Sequence, residues 1–251
     1  MSPFVMLHGF TGHRDDWREV ARGLPPGAEC LPAEIYGHRG HAESGATLPG
    51  FHDEVDRLAN VLGQLGLPPV HLVGYSLGAR LGLSLLLRHP ERVARATLIG
   101  VRPGLRSEGE REERRRTDQA WIDLLAAGDI GRFADAWEAQ PLFATQADLP
   151  AEVVAPVRAR RRRHHAAGLA SALRALGVAA MPDLWPCLDA IRIPVTLVHG
   201  ERDATFATLA AQMAALIPGA RVVGVPEAGH NPVLERPRAV ADILHPERSR
   251  P

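Results

Sequence analysis

The chain has 251 residues, 45% of them hydrophobic, and its formal net charge is zero. This length suits one α/β domain, or one domain with an insertion, and the apolar content is sufficient for a large core. The balanced charge excludes a strongly basic protein that would bind nucleic acid or an anionic membrane through its overall charge.

Short apolar runs alternate with helical patterns along most of the chain. The runs predict strands over residues 4–9, 28–34, 69–74, 95–100, 193–200 and 220–225. Helical spacing and helix-start signals predict helices over residues 15–24, 51–65, 77–89, 205–217 and 232–244. Because helices connect parallel strands, we expect an α/β fold with a mostly parallel sheet and helices on both faces.

The middle of the chain has a different pattern, since residues 104–188 contain no convincing strand. The stretch is charged, then amphipathic, and its last helical region is interrupted by Pro156. We therefore expect a core of residues 1–103 and 189–251, with residues 104–188 inserted as an all-helical lid. Such an insertion lies at the carboxyl ends of the strands, where α/β proteins bind their ligands.

No targeting or membrane-spanning segment is evident. No apolar run is long enough to cross a bilayer, and the first residues, MSPFVMLHGF, lack the basic start and long apolar run of a signal peptide. We expect a cytoplasmic monomer or weak homo-oligomer that binds neither nucleic acid nor membranes.

The cysteines and histidines give little support for a metal site. Cys30 and Cys187 lie far apart and are expected to be reduced, buried thiols. His38 and His41 could suggest a metal pair, but no third ligand lies nearby in the sequence. We expect no metal.

The stretch LVGYSLGAR places Ser76 between Gly74 and Gly78, directly after a predicted strand and before a predicted helix. Such a sharp turn strains the serine backbone, and the glycines allow neighbouring backbone to approach closely. This pattern and context are typical of the nucleophile elbow of α/β-hydrolases. The alternative is a simple strand–turn–helix connection.

A serine hydroxyl needs a base, and the chain order of this fold is serine, acid, histidine. Asp203 follows the predicted strand 193–200, and His230 follows the last one. Asp203 could instead be a helix N-cap, Glu201 is a rival acid, and His230 could be a structural loop residue. Their joint occurrence favours a triad of Ser76, Asp203 and His230.

Backbone N–H groups should supply an oxyanion hole. One belongs to Leu77, directly after the serine, and the other to the loop HGFTG after the first strand, with Phe10 favoured. His8 is interpreted as a structural residue that supports this loop.

Arginines near the predicted serine indicate an anionic substrate. Arg80 lies one helical turn after Ser76, and Arg114 shares a helix face with Asp118 and Trp121. The run RARRRRHH at 158–165 offers further cations, and the alternative for both lid segments is a solvated charged face.

Several segments together resemble the 2-succinyl-6-hydroxy-2,4-cyclohexadiene-1-carboxylate (SHCHC) synthase family of menaquinone biosynthesis, within the α/β-hydrolase superfamily. They are HGFTGHRDDW at 8–17, VGYSLGAR at 73–80, PGLRSEGEREERRRTDQAW at 103–121, FADAWEAQPLFA at 133–144, GERDATFATLA at 200–210 and AGHNP at 228–232. The elbow and the histidine are shared across the superfamily, whereas Tyr-Ser-Leu-Gly-x-Arg and the lid segments are more specific.

The resemblance implies a cofactor-free lyase that eliminates pyruvate from a substrate with three carboxylates. The family's triad matches Ser76, Asp203 and His230, and its oxyanion amides match Phe10 and Leu77. The remaining matches are the carboxylate-binding Arg80, Arg114 and Arg161 and the pocket-lining Tyr75 and Trp137. Arg160, Arg162 or Arg163 replaces Arg161 if the lid register shifts by one.

The chain departs from the family in three places, one of which is the run of four arginines at 160–163, which is richer than expected. It starts almost at its first strand, so we expect the N-terminally shortened sheet to have fewer strands than the usual eight. The segment EIYGHRGHAES at 34–44 differs from the family's Asp-Leu-Pro-Gly-His-Gly. Two alternative functions remain: a serine hydrolase that cleaves a carbon–carbon or ester bond of an anionic substrate, and a catalytically silent binding protein.

Overall fold

A computed structural model describes residues 2–38 and 50–245 of the chain. His41 and most of the 34–44 segment therefore lie outside the described residues. The described part contains a single sheet with helices around it.

Six parallel strands form this sheet, in the order β2-β1-β3-β4-β5-β6. They are β1 (Phe4–Leu7), β2 (Cys30–Ala33), β3 (Val70–Tyr75), β4 (Val93–Ile99), β5 (Val195–Gly200) and β6 (Arg221–Val225). All six predicted strands are present, and the sheet has fewer strands than eight within the described residues. The predicted α/β class and parallel sheet are confirmed. The register aligns Leu7 with Gly74 and Gly74 with Leu98, so the carboxyl ends of β1, β3 and β4 meet at one edge.

The first three helices connect strands of the core. They are α1 (Arg18–Gly23), α2 (Phe51–Gln64) and α3 (Leu77–Arg88). The predicted helix 15–24 is a 3-10 turn, Arg14–Trp17, followed by α1. His13 caps this turn, because its side chain accepts from the Asp15 N–H and its own N–H donates to Asp16.

Between β4 and β5 the chain contains no strand; we call residues 108–190, from the first helix of this stretch to its last 3-10 segment, the helical insertion. It consists of α4 (Glu108–Ala126), α5 (Ile130–Glu138), α6 (Ala151–Arg161), α7 (Ala166–Leu176) and the 3-10 segments Pro141–Asp148 and Trp185–Ala190. Pro156 lies inside α6 rather than interrupting it. A proline removes one backbone donor from a helix, and this surface helix continues through the loss. The lid boundaries at 104 and 188 stay a prediction.

The last three helices are α8 (Ala204–Ala214), α9 (Pro232–Glu235) and α10 (Pro237–Leu244). The predicted helix 232–244 is divided because Pro237 has no N–H and forces Arg236 out of the helical region. No helix within the described ranges has the length and apolar character needed to cross a membrane.

Alternating residues of the strands build two apolar layers, one on each face of the sheet. Val5 and Leu7 pack with α2 and α3 residues, whereas Phe4 and Met6 pack with α1 and α10 residues. A strand that is buried on both faces reads as a continuous apolar run, as observed in β1. A third apolar cluster lies within the helical insertion and includes Phe133, Trp137 and Leu173.

Candidate active site

Ser76 occupies the sharp turn between β3 and α3. Its φ of 50° and ψ of −105° lie in a region that non-glycine residues rarely adopt. A Cβ at Gly78 would lie 2.2 Å from the carbonyl oxygen of Leu7, and one at Gly74 would lie 2.6 Å from the Cα of Ala79. Both glycines are therefore needed for β1, β3 and α3 to approach closely enough to hold the strained turn.

Ser76, His230 and Asp203 form a continuous hydrogen-bonded chain. His230 Nε2 lies 3.3 Å from Ser76 Oγ, and its Nδ1 lies 2.9 Å from Asp203 Oδ2. The carboxylate holds the proton on Nδ1, so Nε2 can accept the serine proton. Asp203 Oδ1 also accepts from the Phe206 N–H at 3.2 Å, so this residue is both the histidine's partner and the α8 N-cap. The rival acid Glu201 is exposed.

A buried glutamate, which the sequence reasoning missed, holds the histidine loop. Glu235 accepts from the N–H of Gly229 at 2.6 Å and from that of Asn231 at 3.2 Å, on either side of His230. The Phe206 ring packs on the imidazole with centroids 4.3 Å apart. No sequence signal singles out Glu235, because an acid in the first turn of a helix is common.

The two predicted oxyanion amides lie beside the serine. Phe10 and Leu77 line the same cavity as Ser76, and neither backbone N–H donates to another residue in the described part of the chain. His8 supports the loop before Phe10, since its Nε2 accepts from the Ile35 N–H at 3.3 Å. That contact agrees with the structural role expected for His8.

Thr11, next to Phe10, is held by three polar contacts in a left-handed conformation with φ of 63°. Its N–H donates to His38 Nε2 at 3.1 Å, its hydroxyl accepts from Arg161 Nε at 3.0 Å, and its carbonyl accepts from His164 Nε2 at 3.1 Å. Burial and the nearby His8 lower the pKa of His38 well below its usual value and that of His164 to about 4. His38 Nδ1 also contacts the Tyr36 carbonyl, so both of its ring nitrogens are engaged.

A cavity of about 300 Å³ opens beside Ser76 and His230. Its walls include Tyr75 and Trp137, with the Trp137 ring 5.0 Å from that of Phe10. A volume of this size accommodates a small ligand. We call it the serine cavity.

Three arginines line the serine cavity, and no aspartate or glutamate is among its described lining residues. Arg80 is 8% exposed and donates to the Leu176 carbonyl at 2.9 Å. Burial and the charge of Arg114 lower the pKa of Arg80 to about 9, against the opposing effect of Asp118. Arg114 Nε donates to Asp118 Oδ1 at 2.8 Å. The third arginine is Arg102, which the sequence reasoning missed although it lies just past the end of β4, at the ligand-binding edge of the sheet.

Arg161 does not line the serine cavity. It lines an adjoining cavity of about 560 Å³, and its Nη1 pairs with Glu138, which is not a lining residue of that cavity. Its neighbour Arg160 pairs with Asp16 at 2.6 Å. The two cavities share the walls Phe10, Tyr75 and Phe143.

Within the described residues, no group of three or more His, Cys, Asp or Glu side chains is arranged to hold a metal ion. Cys30 and Cys187 are unbridged, but the expectation that both are buried is wrong, since Cys30 is half-buried and Cys187 is exposed. Partial burial raises the pKa of the Cys30 thiol.

Comparison with known proteins finds relatives that match most of the chain and that agree with one another. The family profile described as alpha/beta hydrolase fold matches residues 2–237. The putative SHCHC synthase of Bacillus subtilis is 35% identical, with 96% of this chain and 88% of that protein covered. The SHCHC synthase of Enterobacter sp. strain 638 is 32% identical, with 96% and 89% covered.

Solved structures agree with these matches. The structure of MenH from S. aureus superimposes with a TM-score of 0.92 and 28% identity, covering 97% of this chain and 91% of that one. The enol-lactonase from Burkholderia xenovorans LB400 has a TM-score of 0.84 at 21% identity, covering 100% of this chain and 92% of that one. At that identity the second match indicates a shared fold alone.

Proposed function

The chain belongs to the SHCHC synthase family of α/β-hydrolase-fold lyases, and from this premise we propose how its residues eliminate pyruvate in menaquinone biosynthesis. The substrate is 2-succinyl-5-enolpyruvyl-6-hydroxy-3-cyclohexene-1-carboxylate, and the product is SHCHC. The observation that carries the assignment to this site is the serine cavity, where three arginines and no described acidic residue surround Ser76. A small molecule with three carboxylates complements such a wall.

Ser76 acts as the base that starts the elimination. His230 Nε2, at 3.3 Å, takes the hydroxyl proton, and Asp203 stabilises the imidazolium that forms. The serine oxygen then removes the ring proton next to the succinyl carbonyl. The electron pair moves through the ring double bond and breaks the carbon–oxygen bond to the enolpyruvyl group. The released enolate takes up the proton that the His230 imidazolium holds and becomes pyruvate, which returns the triad to its starting state, and no cofactor is required.

Backbone amides stabilise the charge that develops during proton removal. Negative charge builds on the succinyl carbonyl oxygen, and the N–H groups of Phe10 and Leu77 are the donors available beside Ser76. Preorganised donors of this kind lower a barrier because they need no reorientation during the reaction.

Charged and aromatic side chains hold the substrate. Arg80 and Arg114 bind carboxylates inside the serine cavity, between the walls formed by Tyr75 and Trp137. Arg161 is a further proposed substrate arginine. It faces the adjoining cavity and reaches a ligand there if its pair with Glu138 opens. We further propose that the enzyme acts in the cytoplasm on this small molecule, as a monomer or weak homo-oligomer, and that it binds neither nucleic acid nor membranes.

The decisive experiment measures pyruvate release from the enolpyruvyl substrate. We expect release by the wild type, near-complete loss in Ser76→Ala, and a fall of orders of magnitude in Arg80→Ala, since losing a buried carboxylate contact costs roughly 2–5 kcal/mol. Ser84→Ala is the matched control, because Ser84 lies on the same helix, is fully buried and has no hydrogen-bond partner for its hydroxyl among the described residues.

A serine hydrolase is the competing function, because the same triad supports attack on an ester through an acyl-serine. It predicts fast turnover of small activated esters with an initial burst and little need for Arg80. If the wild type releases no pyruvate but shows that burst, the lyase assignment is wrong. If the wild type neither releases pyruvate nor shows the burst, the remaining interpretation is a catalytically silent binding protein.

A further inference from the structure

Arg102 lies on a different part of the fold from Arg80, Arg114 and Arg161, the arginines that match the family. It lies three residues after the last residue of β4 and two residues after Gly100, whose backbone packs against the His230 ring. A Cβ at Gly100 would approach His230 Cε1 to 2.9 Å. The backbone that carries Arg102 is therefore held on one side by the sheet edge that also holds the histidine, and on the other by the hydrogen bond from the Leu184 N–H to the Pro103 carbonyl at 2.8 Å.

The guanidinium of Arg102 has no hydrogen bond and no ion pair with any residue in the described ranges. Other arginines nearby are engaged: Arg111 donates to the carbonyls of Met181 and Leu105, and Arg106 lies over the Trp185 ring at 3.8 Å. A half-buried cation without a partner costs free energy, and such a cost is offset when an anionic ligand binds.

The charged groups around Arg102 also favour the binding of an anionic ligand at this position. Arg80 and Arg114 line the same cavity, and burial together with the charge of Arg114 lowers the pKa of Arg102. The acid that acts on it is Glu110, whose Oε2 is already bound to the N–H groups of Arg106 and Ser107 at 3.0 Å each. Asp118, beside Arg114, offsets one positive charge at most.

We propose that Arg102 is a carboxylate-binding residue of the serine cavity, and that the cavity binds a tricarboxylate through Arg80, Arg102 and Arg114. This inference rests on the proposed function for the identity of the ligand. It assigns the third carboxylate contact to the segment that follows β4, whereas the resemblance assigns it to Arg161 in the insertion.

The test uses Ser76→Ala, which binds substrate without consuming it, as the background. We expect Arg102→Met to weaken binding of the enolpyruvyl substrate about tenfold to a hundredfold in calorimetric titration, the range for losing a hydrogen bond to a charged group. Arg102→Lys keeps the charge but loses the planar fork, so it should recover part of the loss. Arg174→Met is the matched control, because Arg174 is exposed on α7 and lines neither cavity.

Two further readouts separate binding from a structural role. In otherwise wild-type protein, Arg102→Met should raise KM more than it lowers kcat, and the melting temperature without ligand should stay equal or rise because a repulsive cation has been removed. Unchanged substrate affinity, or a loss equal to that of Arg174→Met, would overturn the proposal. So would a lower melting temperature without ligand.

A separate titration tests the role of Arg102 if the proposed lyase function is wrong. If the wild type releases no pyruvate, propane-1,2,3-tricarboxylate replaces the substrate in the titration. Binding that depends on Arg102 but not on Arg174 then supports the tricarboxylate site without the lyase. Equal binding to both variants overturns the Arg102 proposal.

Discussion

Asp203 uses each carboxylate oxygen for a different purpose. Oδ2 contacts His230 Nδ1 at 2.9 Å, and Oδ1 caps α8 by accepting from the Phe206 N–H at 3.2 Å. The sequence allowed Asp203 to be either the partner of His230 or the N-cap of α8, and in the structure it makes both contacts. An amide keeps an acceptor for the cap but loses the negative charge that stabilises an imidazolium.

Two substitutions of Asp203 should therefore separate activity from stability. Asp203→Asn is expected to lower kcat by about 10⁴ while changing the free energy of unfolding little, whereas Asp203→Ala should also lose about 1 kcal/mol of stability. Urea unfolding and pyruvate release measure the two effects. Asp129→Ala is the control: it removes the cap of α5, so it should cost similar stability. An active Asp203→Asn would contradict the role of the carboxylate.

Glu34 gives the protein an acid-dependent stability. Burial tends to raise its pKa, but the close contact with His8 and the hydrogen bonds from Arg14 outweigh burial and hold the pKa at about 2, below the ordinary 4.5. The folded state therefore favours the ionised form. Its contribution is complete above pH 4.5 and disappears as the pH falls toward 2.

Glu34→Gln should consequently destabilise the protein at neutral pH, by roughly 2 kcal/mol after allowance for solvent screening. The difference from the wild type should shrink between about pH 4.5 and pH 2, the window set by the two pKa values. Urea unfolding across this range measures it. A difference that stays constant with pH would mean that the carboxylate charge is not responsible.

At the scale of the element, the strand–turn–helix unit around Ser76 depends on backbone contact. Gly78 is the first point at which α3 meets β1, and its N–H donates to the His8 carbonyl at 3.1 Å. A Cβ there would lie 2.2 Å from backbone that cannot rotate away.

Gly78→Ala should therefore cost about 3 kcal/mol or more and displace the serine. Gly109→Ala is the control, because its added Cβ would have no contact closer than 4.0 Å and α4 should gain up to about 1 kcal/mol. Thermal unfolding measures both. A stable and active Gly78→Ala enzyme would show that the elbow tolerates a shift of α3.

The sequence predicts the elements well where local pattern decides them. The six strands and the helices of the core follow from apolar runs and spacing, and the family resemblance is confirmed by relatives that cover 96% of the chain. Ser76, Asp203 and His230 could be predicted because each follows a strand that ends at the same edge of the sheet. Their hydrogen-bond distances fit the proposed triad.

The sequence could not predict contacts set by the packing of the insertion. Whether Arg161 faces Glu138 or a substrate depends on how α6 lies against α5, and helical spacing alone does not determine that. Arg102 could not be identified for a different reason. The sequence places it just after the predicted strand 95–100, but loop residues do not take part in the helix or strand periodicity that singles out other residues. The bond between His164 and Thr11 joins residues far apart in the chain.

At the scale of the whole molecule, the net charge of the protein does not describe the charge of its serine cavity. The formal net charge is zero, yet the serine cavity is lined by three arginines and by no acidic residue in the described part of the chain. A focused positive field in a cleft attracts an anionic substrate even when the protein is neutral. Added salt weakens that attraction, because the screening length falls from about 10 Å at 0.1 M to about 3 Å at 1 M.

The value of kcat/KM for the tricarboxylate substrate should therefore fall steeply with potassium chloride, by about tenfold between roughly 0.05 and 0.5 M. Saturating substrate removes the binding step, so kcat should change little. Arg102→Met should flatten the dependence because one cavity charge is lost, whereas Arg174→Met, an equal change in net charge on an exposed helix face, should leave it nearly unchanged. A kcat/KM that does not respond to salt would mean that apolar walls, rather than the arginines, select the substrate.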